Sequence, residues 1–304
     1  MARSTNKLPS CSNCGFIFNY SENFCPNCGQ KNQDLKIPVK HLLEEITEST
    51  LHLDSKALRT IKQLMFHPGL LSKEFNRGRR IKYVPPVRLY VFISFIFFFM
   101  LGIATSNYNS ESEAGHNSFN KRDKIKLSLN IFGISSNELA GVNANSIDSL
   151  MKSRNISLTG SNKYIVHQLY KIANSSSAEF SHLLLKNISY MMFILMPLFG
   201  ALLMIFNRKK LYYYIESLII SIHFHSFMFL IFSILLIANY LFSMQIFLFL
   251  GLILFPVYMV IMLKNILELK TGAAVIKTAV IGILYTGSLL LLLLLTIMIS
   301  MLIV

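Results

Sequence analysis

The chain has no tryptophan and carries little charge for its length. Only 14% of its 304 residues are charged, against about 25% in typical soluble chains. Hydrophobic residues make up 53% and are gathered in long runs rather than spread with a regular period. This composition excludes an ordinary soluble domain and indicates an integral membrane protein. Without tryptophan, Tyr and Phe must form the aromatic belts at the membrane interfaces.

Residues 1–40 contain no apolar run of the length that a signal peptide requires, so we expect none there. The first apolar segment is therefore expected to act as an uncleaved anchor. Acidic residues are scarce, with 15 against 29 basic ones and a formal net charge of +14. In a membrane protein such an excess holds loops in the cytoplasm and faces anionic lipid headgroups. The lipid bilayer is thus the predicted partner for this charge, and nucleic acid is the less favoured one.

Signature motifs of several enzyme classes are absent. The sequence has no Walker A loop, no GxSxG motif and no HExxH motif. These absences argue against a P-loop ATPase, a serine hydrolase of the nucleophile-elbow type and that class of zinc metalloprotease. No nucleophile, base and orienting group converge in the sequence either. We therefore predict that the protein is not an enzyme.

Cysteine is restricted to four residues that form two CxxCG knuckles. Cys11 and Cys14 make the first knuckle, and Cys25 and Cys28 make the second. This spacing is typical of a closed, structural four-cysteine Zn²⁺ site, which leaves no position for a catalytic water. We predict a zinc ribbon over residues 1–36, with free or redox thiols as the less favoured interpretation. Because zinc thiolates need a reducing compartment, the N-terminus is predicted to be cytoplasmic.

Residues 37–86 are predicted to form cytoplasmic amphipathic helices followed by a basic juxtamembrane segment. The helices could pack on the knuckles, lie on the membrane surface or bind a partner. Five basic residues approach the first apolar run and are predicted to face anionic headgroups at the membrane surface. They are Arg77, Arg79, Arg80, Lys82 and Arg88.

Five apolar segments come near or above the roughly 20 residues that cross a bilayer. They are residues 87–105, 188–206, 215–240, 246–263 and 279–304. We predict an all-α integral membrane protein with five transmembrane helices and a small N-terminal zinc module. The basic connections then share the cytoplasmic side, while residues 106–187 form an extracytoplasmic loop that could hold a small domain. The C-terminus is predicted to be extracytoplasmic.

The third predicted span is the one with ionisable residues near its middle. His223 and His225 point about 200° apart on a helix, so they cannot both face one ion. His223 shares a row with Glu216, and His225 shares another with Ser217 and Ser221. Glu216, His223 and His225 are the candidate intramembrane polar site, since such residues usually face a bundle interior or a cavity. The alternative is a neutral histidine that bonds a neighbouring helix.

Five stretches carry a resemblance to a known family. They are CPNCGQ at residues 25–30, LDS…RT at 53–60, FHPG at 66–69, RGRRIKYVPPVRLY at 77–90 and FILMPL at 193–198. Together they resemble an uncharacterised bacterial family of zinc-ribbon membrane proteins, domain of unknown function family 3667. The resemblance implies the same architecture in a bacterial inner membrane, and it brings no activity with it.

These features favour a non-enzymatic membrane adaptor or scaffold. Its cytoplasmic zinc module would recruit a cytoplasmic protein partner or steady the helix bundle. A transporter or channel component that uses the polar faces of the third span is the alternative. Nucleic-acid binding by the zinc module is less favoured, because residues 15–24 between the knuckles contain no Lys or Arg.

Overall fold

The computed structural model describes residues 7–19, 22–32, 55–114, 130–131, 134–139, 142, 146–155, 159–174, 177–211, 213–242 and 246–303. The predicted amphipathic helix before residue 55 lies outside these residues. Most of what is described is helical. In chain order the elements are α1 (Ser55–Phe66), α2 (Leu70–Asn76), α3 (Pro86–Ala114), β1 (Asn130–Ile131), β2 (Ile134–Ser135), α4 (Ser136–Leu139), α5 (Ile147–Ser153), α6 (Gly160–Asn174), α7 (Ser177–Phe206), α8 (Tyr214–Phe242), α9 (Ile246–Leu267) and α10 (Thr271–Ile303).

Four of the described helices are long and apolar enough to cross a membrane. The crossing segments are Pro86–Thr105 in α3, Leu185–Phe206 in α7, Tyr214–Phe242 in α8 and Thr271–Ser300 in α10. They coincide with four of the five predicted spans. Several long apolar helices in one chain make this a multi-pass membrane protein.

The remaining predicted span, residues 246–263, falls in α9. This helix has 22 residues, but its described apolar part, Ile253–Leu267, is shorter than a full crossing. A fifth transmembrane helix therefore stays a prediction.

The last membrane helix begins earlier than the sequence suggests. The apolar pattern predicts a start at residue 279, because Lys277 reads as part of a basic loop, whereas α10 begins at Thr271. The ammonium group of Lys277 donates to Oδ1 of Asn207 at 2.6 Å and to the carbonyl of Phe206 at 3.0 Å. The helix can hold this charge because the long side chain reaches polar groups at the end of the neighbouring span.

The chain divides into two compact units. The first comprises Met1–Phe97 with Ile194–Gly287, and the second comprises Phe98–Phe193 with Ser288–Val304. Each unit has a hydrophobic core among its described residues.

Helix α8 is the central helix of the first unit. Of its apolar segment 72% is buried, whereas 17% is buried in the apolar segment of α10. Helices α2 and α9 pack against α8. Stacked rings join α8 to its neighbours: the ring centroids of Phe199 in α7 and Phe224 are 5.1 Å apart, and those of Tyr258 in α9 and Phe227 are 3.5 Å apart. The middle of α8, which carries both histidines, is therefore buried among neighbouring helices.

The two short helices before the basic segment pack against α8 and α9. Pro68 and Gly69 separate α1 from α2, and Gly69 has a φ of +89°, in the left-handed region that favours glycine. The Tyr258 hydroxyl donates to the carbonyl of Leu64 at 2.9 Å. The side-chain amide of Asn265 donates to the carbonyl of Pro68 at 2.9 Å. Helix α9 thus holds the turn between α1 and α2.

The second unit contains a small folded region within the predicted extracytoplasmic loop. Strands β1 and β2 form an antiparallel hairpin with Ile131 opposite Ile134. An ion pair joins Lys163 of α6 to Asp148 of α5 at 2.6 Å, and it lowers the pKa of that carboxyl group. The buried core of this region comprises Ile134, Leu139, Ile147, Met151, Val166 and Leu169.

Candidate metal centre

Each pair of cysteines is held by the same kind of turn. In the first knuckle the N–H of Cys11 donates to the carbonyl of Phe16 at 2.7 Å, and the N–H of Gly15 donates to the carbonyl of Cys11 at 2.8 Å. Gly15 has a φ of +79°. A residue with a side chain would be strained in this conformation, so glycine suits the end of the knuckle.

The second knuckle repeats the first at an offset of fourteen residues. The N–H of Cys25 donates to the carbonyl of Gln30 at 2.7 Å, and the N–H of Gly29 donates to the carbonyl of Cys25 at 2.8 Å. Gly29 has a φ of +73°. The two knuckles therefore have the same backbone turn, and their four thiols lie close together.

The four Sγ atoms have the geometry of a metal site. Sγ of Cys11 lies 3.6 Å from Sγ of Cys28, and Sγ of Cys14 lies 3.5 Å from Sγ of Cys25. All four atoms lie within 4.8 Å of one another. A tetrahedral ion with metal–sulfur bonds of about 2.3 Å places its ligands about 3.8 Å apart. The four cysteines could therefore bind one metal ion together, as the sequence predicts.

Burial and backbone contacts act on the thiols in opposite directions. Burial raises the pKa of Cys11 to about 12 and also raises the pKa of Cys25. The backbone N–H of Phe16 lowers the pKa of the exposed Cys14 to about 7. Burial thus opposes the ionisation of Cys11 and Cys25, and a bound dication would supply the charge that stabilises their thiolates.

A side chain of the second knuckle joins the cysteine module (described residues 7–19 and 22–32) to the basic segment. Nε2 of Gln30 donates to the carbonyl of Gly78 at 2.8 Å, and its Oε1 accepts the backbone N–H of Arg80 at 3.4 Å. The Ser12 hydroxyl also donates to the carbonyl of Gly78, at 3.2 Å, and Gln30 donates to Ser12 at 2.9 Å. Both knuckles therefore contribute to one polar contact.

Two of the predicted membrane-facing cations are bound within the protein. Nη1 of Arg79 lies 3.2 Å from both carboxylate oxygens of the buried Glu74. The guanidinium group of Arg80 lies 4.9 Å from the centre of the Phe75 ring, a cation–π distance. Both residues thus fasten the basic segment to α2.

The other three basic residues of the segment have different surroundings. Arg77 is exposed at the end of α2, and Arg88 lies in the first turn of α3. The ammonium group of Lys82 lies 5.3 Å from the centre of the Tyr83 ring. The five basic residues named by the sequence thus differ in their contacts within the protein.

The two histidines of α8 bond to different helices. Nδ1 of His223 lies 2.9 Å from the hydroxyl of Ser72 in α2, and both residues are buried. Nε2 of His225 lies 2.9 Å from the hydroxyl of Tyr285 in α10. Its Nδ1 lies 2.8 Å from the carbonyl of Ser221. Each histidine thus has a hydrogen-bond partner in the protein.

Glu216 does not join the histidines. Its Oε2 accepts the backbone N–H of Tyr213 at 3.3 Å, at the start of α8. His223 is two helical turns away, or about 10 Å along the helix. The structure therefore brings neither histidine to Glu216, and the three residues do not form one cluster.

Sequence reasoning missed three side chains of these sites. Ser72 and Tyr285 bond the two histidines, and they come from helices distant in sequence. No local pattern marks either of them. Gln30 could have been noticed, because it ends the CPNCGQ motif, but metal binding by the cysteines does not predict its contact with the basic segment.

Residues 54–98 match a family model described as "Protein of unknown function (DUF3667)". This stretch contains α1, α2, the basic segment and the beginning of α3. No curated protein and no solved structure matches the chain. The match supports an uncharacterised domain family for the segment that joins the cysteine module to the membrane helices.

Proposed function

We propose that this protein is a non-enzymatic adaptor of a bacterial inner membrane. A structural Zn²⁺ held by the four cysteines would keep a cytoplasmic module folded for a protein partner. The chain would cross the membrane five times, with a cytoplasmic N-terminus and an extracytoplasmic C-terminus. The observation that carries the proposal is the contact of Gln30 with Gly78 and Arg80.

This contact supports an adaptor because it fixes the cysteine module to the membrane domain. The module has a buried core of only Cys11, Phe18 and Cys25. A core of this size needs a metal to stay folded, and Zn²⁺ with four thiolates supplies that folding energy without an open coordination position. Gly78 lies two residues after the end of α2, which packs on α8. A partner bound to the module would therefore be held in one orientation relative to the membrane.

The module also has apolar surface for a partner to cover. Ile17 is 76% exposed and Phe24 is 60% exposed. Both lie on the short bridges that flank the knuckles, Ser10 with Ile17 and Phe24 with Lys31. Large exposed apolar side chains on a small rigid module are common features of protein-binding surfaces.

The zinc part of the proposal is tested by metal analysis of the purified full-length protein. We expect one zinc per chain in the wild type and in Asn27→Ser, which changes a knuckle residue but no thiol. We expect Cys25→Ser to lose the metal. A wild-type protein that purifies with no zinc and takes none up, or one that binds another metal stoichiometrically, would refute the structural zinc site.

The adaptor part is tested by crosslinking in intact membranes, followed by mass spectrometry of the tagged full-length chain. We expect a specific cytoplasmic protein to be recovered with the wild type and with Asn27→Ser, but not with Cys25→Ser. Flotation of all three variants with the membrane fraction confirms insertion. Recovery of the same proteins with Cys25→Ser, or of no specific protein with the wild type, would contradict the adaptor.

A transporter or channel component stays the alternative prediction, with less support. Both histidines already bond protein groups, which is the arrangement expected of polar residues that join helices. If they carried ions or protons, replacing His223 and His225 by leucine would abolish a flux measured in proteoliposomes while the protein stayed inserted. An unchanged flux would remove this alternative.

A further inference from the structure

A cleft of about 440 Å³ in the first unit is lined by four basic side chains. They are Lys73 in α2, Arg77 directly after α2, and Lys209 and Lys210 in the connection between α7 and α8. The end of α9 and the start of α8 complete the walls. Since α7 ends and α8 begins beside it, the cleft lies where the apolar spans reach the polar headgroup region.

The cleft also has two carboxylates, which do not cancel the charge of its four basic side chains. Oε1 of Glu268 accepts a hydrogen bond from Nζ of Lys73 at 2.9 Å, which lowers the pKa of this glutamate. Oε2 of Glu216 accepts the backbone N–H of Tyr213. Four cations and two carboxylates among the lining residues give a formal charge of +2. A phosphodiester carries one negative charge and a phosphate monoester nearly two, so both match this surplus.

Two of the cations have donors available for a ligand. Lys73 is paired with Glu268, and Lys210 donates to the carbonyl of Leu267. The side chains of Arg77 and Lys209 make neither an ion pair nor a hydrogen bond within the described part of the chain, and both are exposed. A guanidinium group offers paired N–H donors that match two phosphate oxygens, and an ammonium group adds a compact charge.

We propose that this cleft binds a phosphate group between Arg77 and Lys209, supplied by the headgroup of an anionic lipid or by free phosphate. The proposal does not depend on the zinc module, because none of the lining residues lies in residues 7–32. It also differs from a general attraction of basic loops to the membrane. Arg208 and Lys264 are equally exposed but do not line the cleft.

The test uses the full-length protein, purified in a non-ionic detergent and titrated with phosphatidylglycerol or phosphatidylcholine during native mass spectrometry. The wild type should bind phosphatidylglycerol in preference. The double variant Arg77→Gln/Lys209→Gln should bind it about 30-fold more weakly, since each basic group near an anionic headgroup contributes about a factor of five. The control Arg208→Gln/Lys264→Gln removes the same charge outside the cleft and should bind as the wild type does.

Inorganic phosphate separates the two sources of the ligand. If millimolar phosphate displaces phosphatidylglycerol from the wild type, the site accepts free phosphate. If it does not, the site is specific for a lipid headgroup. Equal losses in the two double variants would overturn the proposal, because they would indicate diffuse surface charge. The proposal would also be overturned if the wild-type protein neither preferred phosphatidylglycerol nor bound inorganic phosphate.

Discussion

The hydroxyl of Ser72 lies 2.9 Å from Nδ1 of His223, so a short helix outside the predicted spans is bonded to the most buried membrane helix. This contact is shielded from solvent on both sides, with Ser72 at 0% and His223 at 4% exposure. Loss of either partner would therefore remove a hydrogen bond from a site that water does not reach. The first two predictions follow from buried contacts of this kind.

Ser72→Ala is expected to lower the free energy of unfolding by about 1–2 kcal/mol, because a hydrogen bond to His223 is lost in a buried site. The measurement is thermal or denaturant unfolding of the detergent-solubilised protein. Ser226→Ala is the matched control, since the hydroxyl of Ser226 is equally buried but bonds only the carbonyl of Ile222 in its own helix. Equal stability of the two variants would indicate that the Ser72–His223 contact does not join the helices.

Tyr285→Phe is expected to destabilise the first unit by a similar amount, about 1–2 kcal/mol, because it removes the hydroxyl bonded to Nε2 of His225. Packing of the ring on Phe199 is kept, since only the oxygen is lost. Tyr240→Phe serves as the control, because Tyr240 is 76% exposed. The same unfolding measurement applies, and a loss of stability confined to Tyr240→Phe would be the opposite of the expected result.

Gly69→Ala is expected to destabilise the protein by about 1–3 kcal/mol. Gly69 has a φ of +89°, and an added Cβ would lie 2.9 Å from Cγ1 of Ile266 and 3.0 Å from the carbonyl oxygen of Met262. Both strain and crowding thus oppose a side chain. Gly282→Ala is the control, because nothing lies within 4 Å of its Cβ position in α10. Unfolding temperatures that rank the two variants in the reverse order would contradict this description of the α1–α2 turn.

Gln30→Ala is expected to release the cysteine module from the basic segment without loss of its metal. The side-chain amide of Gln30 contacts the backbone of Gly78 and Arg80, and none of the four cysteines takes part in these hydrogen bonds. Hydrogen exchange of the backbone at residues 78–82 should become faster, while the zinc content stays that of the wild type. Lys31→Ala changes an exposed neighbour and should alter neither measurement. Unchanged exchange in Gln30→Ala would mean that the contact does not hold the module.

The two ends of the chain are expected in different compartments. Five crossings place a tag at the N-terminus in the cytoplasm and a tag at the C-terminus outside, whereas the four crossing segments alone would leave both on one side. Accessibility of end tags to membrane-impermeant reagents distinguishes these cases. A tag inserted at residues 207–210 should report the cytoplasmic side and serves as the internal reference.

The parts of this structure that could be predicted from sequence are those set by local pattern. Long apolar runs identify four crossing helices, because length and charge alone decide whether a segment can cross a bilayer. The knuckle spacing predicts four converging thiols, since each CxxCG turn fixes its own two cysteines. Both features depend on residues close together in the chain.

The remaining features depend on which distant segments meet. The sequence pairs Glu216 with His223 on one helical row, but the histidine bonds Ser72 and the glutamate stays at the helix end. The sequence places five basic residues at the membrane surface but does not show that Arg79 pairs with Glu74. Tertiary packing assigns these polar side chains their partners, and no periodicity in the sequence encodes that choice.

The fourteen-residue offset between the two similar knuckles bears on the orientation in which the cysteine module contacts the basic segment. A near-symmetric body has two equivalent poses, related by half a turn. Here the docking side chains come from non-equivalent positions, since Ser12 corresponds to Pro26 and Gln30 corresponds to Phe16. In the rotated pose Pro26 and Phe16 would face the carbonyl of Gly78, and neither side chain can donate a proton to it. The two turns are thus alike in backbone but differ in the side chains that contact Gly78, so the module can bind the basic segment in one orientation.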